Sequence, residues 1–179
     1  IAGYAEARAI AQRELGAMTD LVAEPANQTV LTKTPKALLA AHEVGQRGVI
    51  LGLQNALILG TEVNAIDDFY AAGVRVFALT HMGHNAFADS SRPLFDAALG
   101  RREPDAEHGG LADLGRAAIQ RINALGGVVD ISQLSKQAAL QAMSISTTPV
   151  IASHSNARAL TNVSRNLSDE ELDGIGATG

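Results

Sequence analysis

The chain has 179 residues, 46% hydrophobic and 18% charged, a balance that excludes a disordered polypeptide and is enough to enclose one core. A formal net charge of −5, no basic cluster and only 3% aromatic residues exclude a nucleic-acid-binding surface. With no cysteine there is neither a disulfide framework nor a thiolate metal site, and no apolar run approaches the roughly 18 residues of a membrane span.

Residues 2–19 read as an alanine-rich helix with Ile10, Leu15 and Met18 as candidate buried positions. Residues 24–33 read as a loop with a minor strand at Val30-Leu31. Thr34-Pro35 then opens a helix as N-cap and first helical residue, with Leu38, Ala41 and Val44 on its apolar face and Gly45 to Gly48 at its end. The unbroken apolar run 49–53 predicts a strand buried on both faces, followed at once by Gln54. Thr61-Glu62 reads as the cap of a helix to about Ala72, with Val63, Ile66 and Tyr70 inward and Gly73 as its stop. A second strong strand, 74–79, runs into Thr80-His81.

Residues 82–110 form the longest irregular stretch, a length usually reserved for functional or mobile loops. Leu111, Leu114, Ala118, Ile122 and Leu125 mark an amphipathic helix ending at Gly126-Gly127. A third strand is expected at 128–131, a helix at about 135–146, and a fourth strand at 149–153. Ser168 to Glu171 is a capping-box pattern opening a last helix.

Strand and helix thus alternate, which predicts an α/β fold with parallel strands. The strand ends carry Gln54, His81, Gln133 and His154. Ligands of parallel sheets bind beyond the carboxyl ends of the strands, so these four residues are the candidate site. Four strands supply half of a (β/α)₈ TIM barrel, which needs about 250 residues. The chain therefore reads as a single domain over 1–179 that forms the central part of an incomplete barrel, its ends resembling cuts at Ile1 and Gly179. There is no P-loop, no G-x-G-x-x-G and no G-x-S-x-G nucleophile elbow.

Several segments together resemble the membrane (renal) dipeptidase family of zinc enzymes: 73–81 with Ala88-Asp89 after it, 127–132, 149–155 with Ala157 after it, and Arg165-Asn166 before the capped helix. The resemblance implies a TIM barrel holding two zinc ions through a His-x-Asp pair, a bridging Glu, two later His and a final Asp. The His-x-Asp and the final Asp fall outside this chain. Gln54 stands at the bridging Glu position, Gln133 at the first of the later His positions, and only His154 keeps a metal-ligand identity. The resemblance also implies that His81 meets the substrate at the reacting carbonyl, as the catalytic and substrate-binding residue, and that Arg165 binds the substrate carboxylate.

A bridging carboxylate supplies a negative charge between dications held about 3.5–4 Å apart, which a neutral carboxamide does not. At most one zinc is therefore expected. The expected activity is a dipeptidase-like metallohydrolase acting on a small peptide-like substrate with a free carboxylate. The alternatives are a non-hydrolytic tailoring enzyme or a non-catalytic binding homologue with a degraded second metal site. Relatives of this kind are often exported or membrane-anchored, and a homodimer is compatible with the resemblance. Among the remaining polar residues, Asp130 is expected to be buried and structural, Asp89 to order the long loop, and His42 to be exposed. His84 and His108 are assigned to the loop rather than the site.

Overall fold

The computed structural model describes residues 3–179. Helix α1 spans Tyr4–Ala23, and residue 2, its expected start, lies outside the described residues. It buries Val22, while Ile10 and Met18 are exposed and Leu15 only packs against the edge of the core. A 3₁₀ turn at Pro25–Asn27 leads into β1, Thr29–Leu31. Helix α2, Pro35–Glu43, is capped as expected: Thr34 Oγ1 accepts from the Ala37 N–H at 3.1 Å. Its expected apolar face is narrower than predicted, because Ala41 is buried but Val44 is 71% exposed.

The predicted strand 49–53 is instead two short strands, β2 Arg47–Val49 and β3 Leu51–Gln54, with Ile50 between them 51% exposed. This segment changes partner part-way: β2 pairs in parallel with β1, whereas β3 pairs in parallel with β4, Val74–Ala78. An apolar run implies burial on both faces only where both faces are covered, and at Ile50 one is not. Helix α3, Ala65–Ala72, starts later than Thr61-Glu62 suggests: a 3₁₀ turn at Ala56–Leu59 is followed by turns up to Asn64, the residue before the helix. It ends at Gly73, whose φ of +117° is a left-handed conformation suited to glycine.

The long loop contains a small antiparallel pair, β5 Phe95–Asp96 with β6 Arg101–Arg102, which its polar sequence does not announce. Helix α4, Asp113–Leu125, follows, then β7, Val128–Asp130, and α5, Lys136–Ile145. The expected fourth strand at 149–153 is reduced to one parallel bridge, Ile151 to Asp130. After that single pair the chain enters a turn at Ser153-His154. Helix α6, Asp169–Ala177, carries the predicted capping box, with Glu171 accepting from the Ser168 N–H at 2.8 Å.

The strand order β3-β4-β7, extended by Ile151, follows the order of the chain, and every pairing is parallel. That is the arrangement of consecutive strands in a (β/α)₈ barrel. The core lies between this sheet and α3, α4 and α5, where Ile66, Val74, Ile119, Ile122 and Val129 are fully buried. Truncating any one of these isoleucines to alanine is expected to cost about 2–5 kcal/mol. This layer anchors the strands, so their carboxyl ends are held in fixed relative positions.

Candidate active site

Gln54 ends β3, His81 follows β4, Gln133 follows β7, and His154 follows the Ile151 bridge. All four lie at the same end of the sheet. Three of them meet at one atom: the amide nitrogen of Gln54 is 2.8 Å from His154 Nε2, and that of Gln133 is 2.9 Å from it. On the other side of the imidazole, Nδ1 is 2.7 Å from Ser153 Oγ, which in turn donates to Asp130 Oδ2. Asp130 is buried, as expected, and also accepts backbone N–H groups of Ser132 at 2.9 Å and Ser153 at 3.2 Å.

Gln133 reaches this position at a cost. It is 3% exposed with φ +66°, a left-handed conformation that costs a residue bearing a Cβ about 1–2 kcal/mol. Its carbonyl is held by the Thr80 hydroxyl at 2.8 Å and the Ser91 N–H at 2.9 Å, which tie the end of β7 to the segment after β4 and to the long loop. Its Oε1 is buried without a partner, as is Ser155 Oγ.

His81 is half-buried. Burial, and then the charges of Arg92, His154 and Arg165, hold its imidazole below the usual 6.5, so it is neutral at neutral pH. Arg165 donates from Nη2 to the His154 carbonyl at 2.7 Å, which leaves further guanidinium N–H groups for a ligand. Arg92 went unnoticed in the sequence because it sits in the long loop with no motif around it. Ser153, which matches no nucleophile motif, drew no role from the sequence because its partner Asp130 is a residue of another strand.

The remaining loop residues have structural partners. Asp89 is fully buried and accepts the N–H groups of Glu107 and Gly110 at 2.8 Å and of His108 at 3.1 Å. The His84 ring accepts from the Ser90 N–H at 3.0 Å and lies 2.8 Å from the Pro104 carbonyl, while the His108 ring lies 2.8 Å from the Asn85 carbonyl. His42 is exposed.

Consecutive parallel strands with polar side chains gathered at their carboxyl ends form part of a (β/α)₈ barrel. Residues 3–179 match the family described as membrane dipeptidase, peptidase family M19, and the chain belongs to that family of metallopeptidases. It is 34% identical over 131 residues to the dipeptidase aclJ of Aspergillus oryzae, covering 73% of this chain and 29% of that protein. The crystal structure of the probable dipeptidase PvdM from Pseudomonas aeruginosa superposes with a TM-score of 0.84 at 36% identity, over 92% of this chain and 40% of that one. A metallo peptidase from Rhodobacter sphaeroides, liganded with a phosphinate mimic of the dipeptide L-Ala-D-Ala, superposes with a TM-score of 0.74 at 25% identity, over 85% of this chain and 42% of that one. The chain therefore spans less than half the length of these relatives.

The family implies a metal, and the residues of this chain do not fit a two-zinc centre. Among the described residues no three His, Cys, Asp or Glu side chains gather where they could hold an ion. The donor set at the rim is one imidazole and two carboxamides, and both carboxamides turn their N–H groups toward the imidazole nitrogen that a metal would need. An amide N–H is not a ligand, and an amide oxygen is a poor zinc donor beside imidazole.

Proposed function

We propose that the protein is a dipeptidase-like hydrolase whose ligand is a dipeptide or a similar small amide with a free carboxylate. The observation that carries this reading is a half-buried His81 after β4, whose imidazole is held below its usual value by burial and by the charges of Arg92, His154 and Arg165, together with an Arg165 guanidinium anchored on the His154 carbonyl. A neutral imidazole N–H beside a carbonyl stabilises the oxyanion that forms when the amide carbon becomes tetrahedral. A guanidinium a short distance away suits a carboxylate through its forked donors. Support also comes from the R. sphaeroides neighbour, which is liganded with a phosphinate dipeptide mimic.

The test is turnover of a panel of dipeptides by the full-length protein, alongside its metal content. Hydrolysis that falls about 10²–10³-fold in kcat in His81→Ala, as for loss of one oxyanion donor, supports the reading. An Arg165→Ala variant is expected to raise KM for substrates with a free carboxylate. No hydrolysis, together with no metal above trace, overturns it.

A second reading, a non-hydrolytic tailoring enzyme or a binding homologue, is favoured by the two carboxamides on His154. It predicts dipeptide binding without turnover, and efficient cleavage by the wild type would eliminate it.

A further inference from the structure

We infer that Asp130 and Ser153 are positioning residues that hold the His154 imidazole in its Nδ1–H tautomer and turn a bare Nε2 toward the strand-end rim where Gln54 and Gln133 converge. The argument follows the protons. A carboxylate only accepts hydrogen bonds. Asp130 Oδ1 already accepts the N–H groups of Ser132 and Ser153, and Oδ2 accepts the Ser153 hydroxyl. Ser153 has one hydroxyl hydrogen, and it is spent on that carboxylate. Its oxygen can then only accept from His154 Nδ1, 2.7 Å away, so Nδ1 carries the ring proton. In a neutral ring that leaves Nε2 with its lone pair free to accept.

The two glutamines, as their amides lie, match this assignment. A bare Nε2 is an acceptor, and both nearby amides present N–H groups to it, at 2.8 Å and 2.9 Å. With the amides as they lie, the opposite tautomer would put Nε2–H against an N–H from each, and in any amide orientation it would leave the Ser153 hydroxyl, already donating to Asp130, facing a second acceptor. The His154 backbone is fixed as well: its N–H donates to Ser132 Oγ at 3.1 Å, and its carbonyl accepts from Arg165. Two strand ends, β7 and the segment after Ile151, are thereby joined at the imidazole, which has no freedom to turn over. The consequence is a strand-end nitrogen that can only accept, offered to a ligand N–H or O–H once a carboxamide yields its place.

This inference does not depend on the dipeptidase reading, because its readout is the position of a proton and not turnover. Ring-nitrogen NMR on the histidine-labelled full-length protein, with the His154 signals assigned by their absence in His154→Asn, is expected to show Nδ1 protonated and Nε2 bare. Ser153 is exposed and Ser153→Ala is expected to fold, with loss of the Nδ1–H form as the predominant species. Ser153→Thr, which keeps the hydroxyl, is expected to restore it. A wild-type ring protonated on Nε2, an unchanged tautomer in Ser153→Ala, or no recovery in Ser153→Thr would each overturn the inference.

Discussion

Gln54 and His154 stand 100 residues apart in the chain, yet the Gln54 amide nitrogen lies 2.8 Å from His154 Nε2. Gln133 reaches the same nitrogen from a third strand end at 2.9 Å. A rim that the family would be expected to organise around metal is here closed by hydrogen bonds between side chains. Restoring the charged donors is therefore a direct test. The double variant Gln54→Glu, Gln133→His is expected to bind more metal per chain than the wild type, by elemental analysis after equilibration with zinc and removal of free ion. Equal metal content in the two proteins would show that the carboxamides are not what limits binding.

Asp89 organises the long loop. Burial raises its pKa, but the backbone N–H groups of Glu107, Gly110 and His108 hold it below the usual 3.8. A carboxylate with a depressed folded-state pKa stabilises the fold above its unfolded value, and that contribution is lost as pH falls through the folded value. Asp89→Ala leaves those N–H groups buried without an acceptor, and hydrogen bonds to a charged group are worth about 1.5–3 kcal/mol each. The expected result is a loss of at least about 3 kcal/mol of unfolding free energy at neutral pH, read as a lower denaturation midpoint, and a flatter acid limb. A wild-type-like midpoint would remove Asp89 from this role.

His81 gives the opposite sign to a histidine that gains an acidic partner. Burial first, then Arg92, His154 and Arg165, lower its pKa from 6.5. The unfolded chain then binds more protons than the folded one below 6.5, so this residue makes stability rise with pH across that window. Removing the nearest-acting charge by Arg92→Ala is expected to bring the His81 midpoint up toward its ordinary value, as followed by proton NMR. A midpoint that does not move would mean that the Arg92 guanidinium does not face the site.

Gly115 is the closest approach between α4 and the long loop. A Cβ built there would lie 2.1 Å from the Phe87 carbonyl oxygen, which is backbone and cannot rotate aside. Alanine gains about 1 kcal/mol over glycine within a helix, but overpacking costs about 1–3 kcal/mol and falls at the upper end against backbone. Gly115→Ala should therefore lower Tm in a thermal melt. An increase in Tm would mean that the loop slides away from α4 at no cost.

How much of this was legible beforehand can be followed residue by residue. Thr34-Pro35, the Gly73 and Gly126 stops, the α4 stripe and the Ser168–Glu171 box act within a few residues of one another, and each appears where its local chemistry predicts. The split at Ile50 and the shortened strand at Ile151 were not legible, because strand length depends on which neighbour is present to accept the hydrogen bonds. Burial of Ile10 and Met18 failed for a related reason: an alanine-rich helix has several weakly apolar faces, and packing chooses among them.

The sequence by itself determined the class of fold, the family and the four polar strand ends, because periodicity, caps and motif spacing are properties of neighbouring residues. Only the tertiary structure decided what those strand ends do to one another. The proton chain from Asp130 through Ser153 to His154, and the convergence of Gln54 and Gln133 on Nε2, join residues of three different strand ends. Hydrogen bonds are short and directional, so such a cluster exists only once the sheet has fixed the separation and orientation of the strands that carry it.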